Sequence, residues 1–110
     1  MPQVTTTTKN GKGDDKTVCA SLYSPKSGIL LEVFTNEPGI QVYTGNFQGT
    51  GIACKHGIKY PKHVSVCFES QKYPDSPTKI AQGIKDWTDA TLKPGEKYYS
   101  HLAYKFSVKK

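Results

Sequence analysis

The sequence predicts an all-β domain of antiparallel strands, and three observations predict it. Apolar and polar residues alternate with a period of two in several short runs, the pattern of strands whose successive side chains point to opposite faces. Clusters of Gly, Pro, Asn and Ser punctuate these runs as turns. No segment sustains a helical period, so helices have little part in the fold.

The elements follow in order. Residues 1–15, MPQVTTTTKNGKGDD, have only Val4 as an aliphatic anchor and read as a flexible leader. From Thr17, Val18, Ala20 and Leu22 alternate with Cys19, Ser21 and Tyr23 in a first strand that ends in the turn Ser24 to Gly28. Ile29 to Thr35 is rich in β-branched and aromatic residues. Asn36, Glu37, Pro38 and Gly39 then supply turn chemistry before Ile40 to Thr44 resumes the pattern, which predicts a hairpin. On its returning strand Gln41 and Tyr43 project away from Ile40 and Val42. A glycine-rich loop runs from Gly45 to about Pro61. Val64, Val66 and Phe68 alternate with Ser65, Cys67 and Glu69 in a strand that runs into Pro74 and Pro77, after which Ile80 to Trp87 supplies one helical turn at most. Beyond the turn at Lys93 to Glu96, Tyr98 to Val108 is the clearest alternating segment of the chain.

With 110 residues the chain is a single domain with a modest core. Its net charge of +6 comes from 15 basic residues, all lysine and scattered singly, with no run longer than Lys109 and Lys110. Nucleic-acid footprints cluster their cations and favour Arg, so solvated surface lysine is the better reading and no nucleic-acid partner is expected. No apolar run is long enough to span a bilayer, and Met1 to Lys16 contains no signal-like stretch. Three cysteines, Cys19, Cys54 and Cys67, leave one unpaired in any disulfide scheme; together these features predict a reducing, cytoplasmic setting.

Chemistry narrows to one strand. His56, His63 and His101 form no metal-ligand spacing with the cysteines, and no phosphate-cradling loop opens a helix, so no metal or cofactor is expected. Cys67 lacks a marked base and orienting group for a nucleophile's role. Glu69 is a carboxylate one residue beyond an apolar run, where desolvation is costly without partners. From the segment alone, a salt-bridged or edge-exposed glutamate is the plainer reading. Glu69 with Gln71, Gln41, Asn46, Asp75 and several tyrosines is also what a sugar site uses, amides and carboxylates for hydroxyls and rings for the apolar face.

Four stretches, Leu31 to Phe47 (LEVFTNEPGIQVYTGNF), Lys55 to His63 (KHGIKYPKH), Val66 to Pro77 (VCFESQKYPDSP) and Thr91 to Phe106 (TLKPGEKYYSHLAYKF), resemble the closing segments of the galactose mutarotase (aldose 1-epimerase) family in order and spacing. The resemblance implies a partial β-sandwich over residues 16–110, the C-terminal third of the family's fold. It implies interconversion of the α and β anomers of aldoses such as galactose or glucose, without cofactor or metal. The general base of the family falls on Glu69, and the glutamine that contacts sugar hydroxyls falls on Gln41. Asn46 and Gln71 lie within the same motifs. Phe68 stands where the family has Leu, and none of the three histidines matches its general acid.

The expectation is therefore an aldose 1-epimerase-like protein that is truncated and lacks the acid; the alternative is a non-catalytic carbohydrate-binding or regulatory module. Its partner would be a monosaccharide. Uncovered sheet edges favour self-association or docking onto another chain.

Overall fold

The structure, a computed structural model, describes residues 4–6, 16–49 and 51–110. Strands β1 (Val4–Thr6), β4 (Gly39–Tyr43) and β5 (Cys67–Gln71) form one antiparallel sheet in the order β1-β4-β5. Strands β2 (Ala20–Tyr23), β3 (Ile29–Thr35) and β6 (Leu102–Val108) form the other in the order β2-β3-β6. The predicted leader falls mostly outside the described residues; within it, Val4–Thr6 pairs with β4, Val4 opposite Gln41.

The sheets meet through their central strands. Val33 of β3 and Ile40 of β4 are buried together with Cys19, and Ala20, Leu31, Val42 and Phe68 pack around them. Burying a Val or Ile side chain contributes about 1.5–3 kcal/mol, so this small cluster carries much of the stability. By strand register Leu22, Ile29, Phe106 and Val108 share the face of Val33, yet Phe106 and Val108 are 67% and 68% exposed. The sandwich is thus closed at one end of the sheet and open at the other. Its radius of gyration of 17.0 Å exceeds the roughly 13 Å of a compact chain of this length.

β2 and β3 pair as a hairpin through the turn expected at Ser24 to Gly28. Gly28 donates to Ser24 O at 2.8 Å with φ of +75°, and Lys109 donates to Gly28 O. A Cβ at Gly28 would sit 2.9 Å from Lys109 O. Gly28→Ala therefore adds left-handed strain to a backbone clash and is expected to cost about 1–2 kcal/mol, read as a shift in the urea midpoint. An unchanged midpoint would show that this turn relaxes freely.

Four local expectations are corrected. Residues 29–44 are not a hairpin: β3 and β4 lie in different sheets, and Asn36 to Pro38 carry the chain across the core edge. Pro38 has no N–H for a ladder and Glu37 is buried, which suits a corner between layers better than a solvent turn. The strand expected from Val64 begins only at Cys67, opposite Tyr43, because β4 ends there and offers no earlier partner. Likewise Tyr98 to His101 alternate without pairing to β3, which ends at Thr35 opposite Leu102; His101 N donates instead to Asn36 Oδ1 at 2.7 Å. The one α-helix among the described residues, α1 (Ser76–Ala81), starts earlier than the turn expected at Ile80 to Trp87. Pro77 suits its first turn, where an N–H needs no partner, and Gly83 at φ +72° stops it.

Candidate functional site

The β4–β5 ladder brings two of the predicted residues face to face. Gln41 pairs with Glu69, flanked by Gly39 opposite Gln71 and Tyr43 opposite Cys67. Directly opposed residues share a face with Cβ atoms about 4.5–5.5 Å apart. The intervening Ile40, Val42 and Phe68 turn inward to the core, so alternation commits Gln41, Glu69 and Gln71 to the outer face. Gln41 and Gln71 are half-buried and Glu69 is exposed. Among the described residues no hydrogen bond or ion pair engages Glu69, so no described lysine holds its carboxylate on this face. The adjacent amide of Gln41 can donate to and accept from hydroxyls.

Asn46 is not brought onto this rung. It sits in the turn after β4, where its Oδ1 accepts the Thr44 hydroxyl at 3.4 Å. His63 braces the same turn: its N–H donates to Gly45 O at 3.2 Å, and its Nδ1 lies 3.1 Å from Thr44 O. Tyr43 is occupied too, its hydroxyl accepting from Phe47 N at 3.0 Å. Asp75 precedes α1 in a left-handed conformation and pairs weakly with Lys79 at 3.9 Å. Among the described residues no group of three His, Cys, Asp or Glu could hold a metal ion.

Two features escaped the sequence. First, the Tyr73 ring covers Gly39, where a Cβ would meet it at 3.2 Å. Since Gly39 and Gln41 share a face, this ring closes one end of the site. Trp87 holds it from behind, with ring centroids 5.2 Å apart and Nε1 donating to Pro74 O at 3.0 Å. The signal available was glycine at the start of a strand, which often marks close approach by a neighbour.

The second is Glu37, only 1% exposed. Its Oε1 accepts the Tyr98 hydroxyl at 2.6 Å, and its Oε2 faces the Lys72 ammonium at 3.2 Å, off hydrogen-bond alignment. Burial pushes this carboxyl up, but the Tyr98 hydroxyl, Lys72 and the Ser100 hydroxyl together outweigh it and hold it below the ordinary 4.5. A carboxyl with a depressed folded pKa stabilises the fold above its unfolded value, and that contribution is lost as pH falls through the folded one. The melting temperature is therefore expected to fall more steeply in wild type than in Glu37→Gln as pH is lowered from 5 to 3. Parallel curves would refute the ionised state. A cleft of about 370 Å³ opens beside this cluster, lined by Asn36, Lys72, Lys97 and Tyr98 among others, but neither Gln41 nor Glu69 lines it.

The fold and this face define a class: an antiparallel β-sandwich portion that presents a free carboxylate beside an amide, with an aromatic ring at the end. Comparison with known proteins makes the class specific. The sequence profile of the aldose 1-epimerase family matches residues 3–105, and the chain belongs to that family. It is 42% identical over 94 residues to galactose mutarotase of Mus musculus, covering 86% of this chain and 26% of that protein. It is 36% identical over 97 residues to aldose 1-epimerase of Escherichia coli, covering 86% of this chain and 26% of that protein. A crystal structure of a GalM/aldose epimerase homologue from C. elegans superposes with a TM-score of 0.69 at 27% identity, covering 86% of this chain and 27% of that one. The chain thus spans about a quarter of the length of these relatives.

Proposed function

We propose that this chain carries the base half of an aldose 1-epimerase site acting on galactose or glucose. The observation that supports this most is the Gln41–Glu69 rung on the outer face of the β4–β5 ladder. Anomer exchange needs a base to take the proton of the anomeric hydroxyl and an acid to protonate the ring oxygen; the open aldehyde rotates and recloses on either face. Glu69 is the base. Gln41 holds neighbouring hydroxyls, Gln71 extends that contact beside Gly39, and Asn46 shapes the adjoining turn. The ring of Tyr73 offers a surface for the apolar side of the sugar.

The acid is not supplied by the histidines in this reading. His63 is committed to the turn after β4, and neither His56 nor His101 lies on the β4–β5 ladder that carries Gln41 and Glu69. In this reading the acid comes from outside these residues and reaches the outer face of the β4–β5 ladder, where Gln41 and Glu69 lie. Galactose binding tests the reading. In an amide-resolved NMR titration, galactose is expected to shift the signals of Gln41, Glu69 and Tyr73 saturably, with a dissociation constant in the millimolar range. A flat titration at these residues would remove the proposal.

A further inference from the structure

We propose that the buried Glu37–Lys72 pair is a register staple, making Glu37 and Lys72 positioning residues for the Gln41–Glu69 rung. The inference rests on the sugar-site reading for its consequence in binding, but the staple itself stands on geometry alone.

The β4–β5 ladder has its last rung at Gly39 and Gln71. One step further Pro38 would face Lys72, and proline has no N–H with which to continue the pairing. At that point the side chains take over: Glu37, one residue before Pro38, reaches the Lys72 ammonium at 3.2 Å. Lys72 is 31% exposed and Glu37 1% exposed, so one partner is fixed in the interior and draws the other to the end of the ladder.

Glu37 is itself held from two further directions. Its N–H donates to Thr35 Oγ1 at 3.1 Å, while that hydroxyl donates to His101 O at 2.9 Å. Its other carboxylate oxygen takes the Tyr98 hydroxyl. Glu37 therefore fixes the exit of β5 to the corner between the sheets and to the approach of β6.

The need for such a device follows from the ladder. β5 has five residues and pairs only with β4 among the described residues. A slip of one residue would send Glu69 to the opposite face from Gln41. Burial of Ile40 fixes which face of β4 is inward, but it leaves the position of β5 along β4 to Phe68 and to the end of the ladder.

The test uses Lys72→Gln, Glu37→Gln and the double variant in the full chain, with cross-strand backbone NOEs at the Gln41–Glu69 rung and galactose titration as readouts. Lys72→Gln leaves the buried carboxylate to Tyr98, and Glu37→Gln leaves Lys72 partly in solvent, so whichever single variant folds supplies the comparison. That variant is expected to weaken the rung NOEs and to raise the galactose dissociation constant about tenfold at temperatures well below unfolding, equivalent to about 1.4 kcal/mol. The double variant, a neutral amide pair of similar shape, is expected to restore both. A pair with only a stability role would lower the melting temperature and leave rung and affinity unchanged, which overturns the proposal. If wild type binds no galactose, the sugar-site reading fails while the NOEs still decide the staple.

Discussion

Glu69→Gln is expected to abolish the protein-dependent part of anomer exchange measured with α-galactose in imidazole buffer. In the proposed mechanism Glu69 takes the anomeric proton, and imidazolium in solution can stand in for the acid. The wild-type rate, after subtraction of buffer catalysis, should contain a component first order in both protein and imidazolium. Loss of a positioned general base lowers such a rate by about 10²–10⁴-fold. Gln preserves the volume and leaves Gln41 opposite, so the fold survives and the loss reports chemistry. Polarimetry decides it. A wild-type chain with no protein-dependent component would remove Glu69 as a working base, and an unimpaired Glu69→Gln variant would assign the base elsewhere.

Ile40→Ala should be the most damaging change to the fold. Ile40 is buried at the contact of the two sheets, in the core cluster it forms with Cys19 and Val33. Large-to-small changes at such sites cost about 2–5 kcal/mol, because the cavity adds to the lost transfer energy. Stabilities of single domains are about 5–15 kcal/mol, so the variant is expected to lose a large share of its stability and to unfold at a much lower urea midpoint. Circular dichroism with urea titration reads this directly. Phe106→Ala, on the open end of the sheet, is the control and should stay within about 0.5 kcal/mol of wild type. Equal losses in the two would mean that the open face is more protected than its exposure indicates.

Strand existence was legible because alternation is a local property. Ile29 to Thr35 is a strand with the bounds its composition predicts, since β6 pairs with it along its whole length and β2 with Leu30 to Val33. Pairing is not local, and there the reading failed. Turn residues at 36–39 announce a reversal without saying whether the chain returns beside its own strand or crosses to another sheet. Val64 and Val66 have the same two-residue period as Phe68 but no strand to face. The site shows the same division. Gln41 and Glu69 stood out through motif resemblance, and the ladder sets them opposite each other. Glu37 read as an ordinary turn carboxylate, because Tyr98 and Lys72 adjoin it only after folding. Tyr73 was one tyrosine among seven until the bare surface of Gly39 gave its ring a place.

The packing of Trp87 on Tyr73 has an optical consequence. Trp87 is the only tryptophan in the sequence, and its neighbour caps the face that carries Gln41. Emission excited at the indole band therefore comes from a single fluorophore at the rim of the face that carries Gln41 and Glu69. A ligand that moves the Tyr73 ring alters that emission in the folded chain, whereas unfolding shifts it to the red as the indole meets water. One spectrum separates occupancy of the site from loss of the fold, with no label attached.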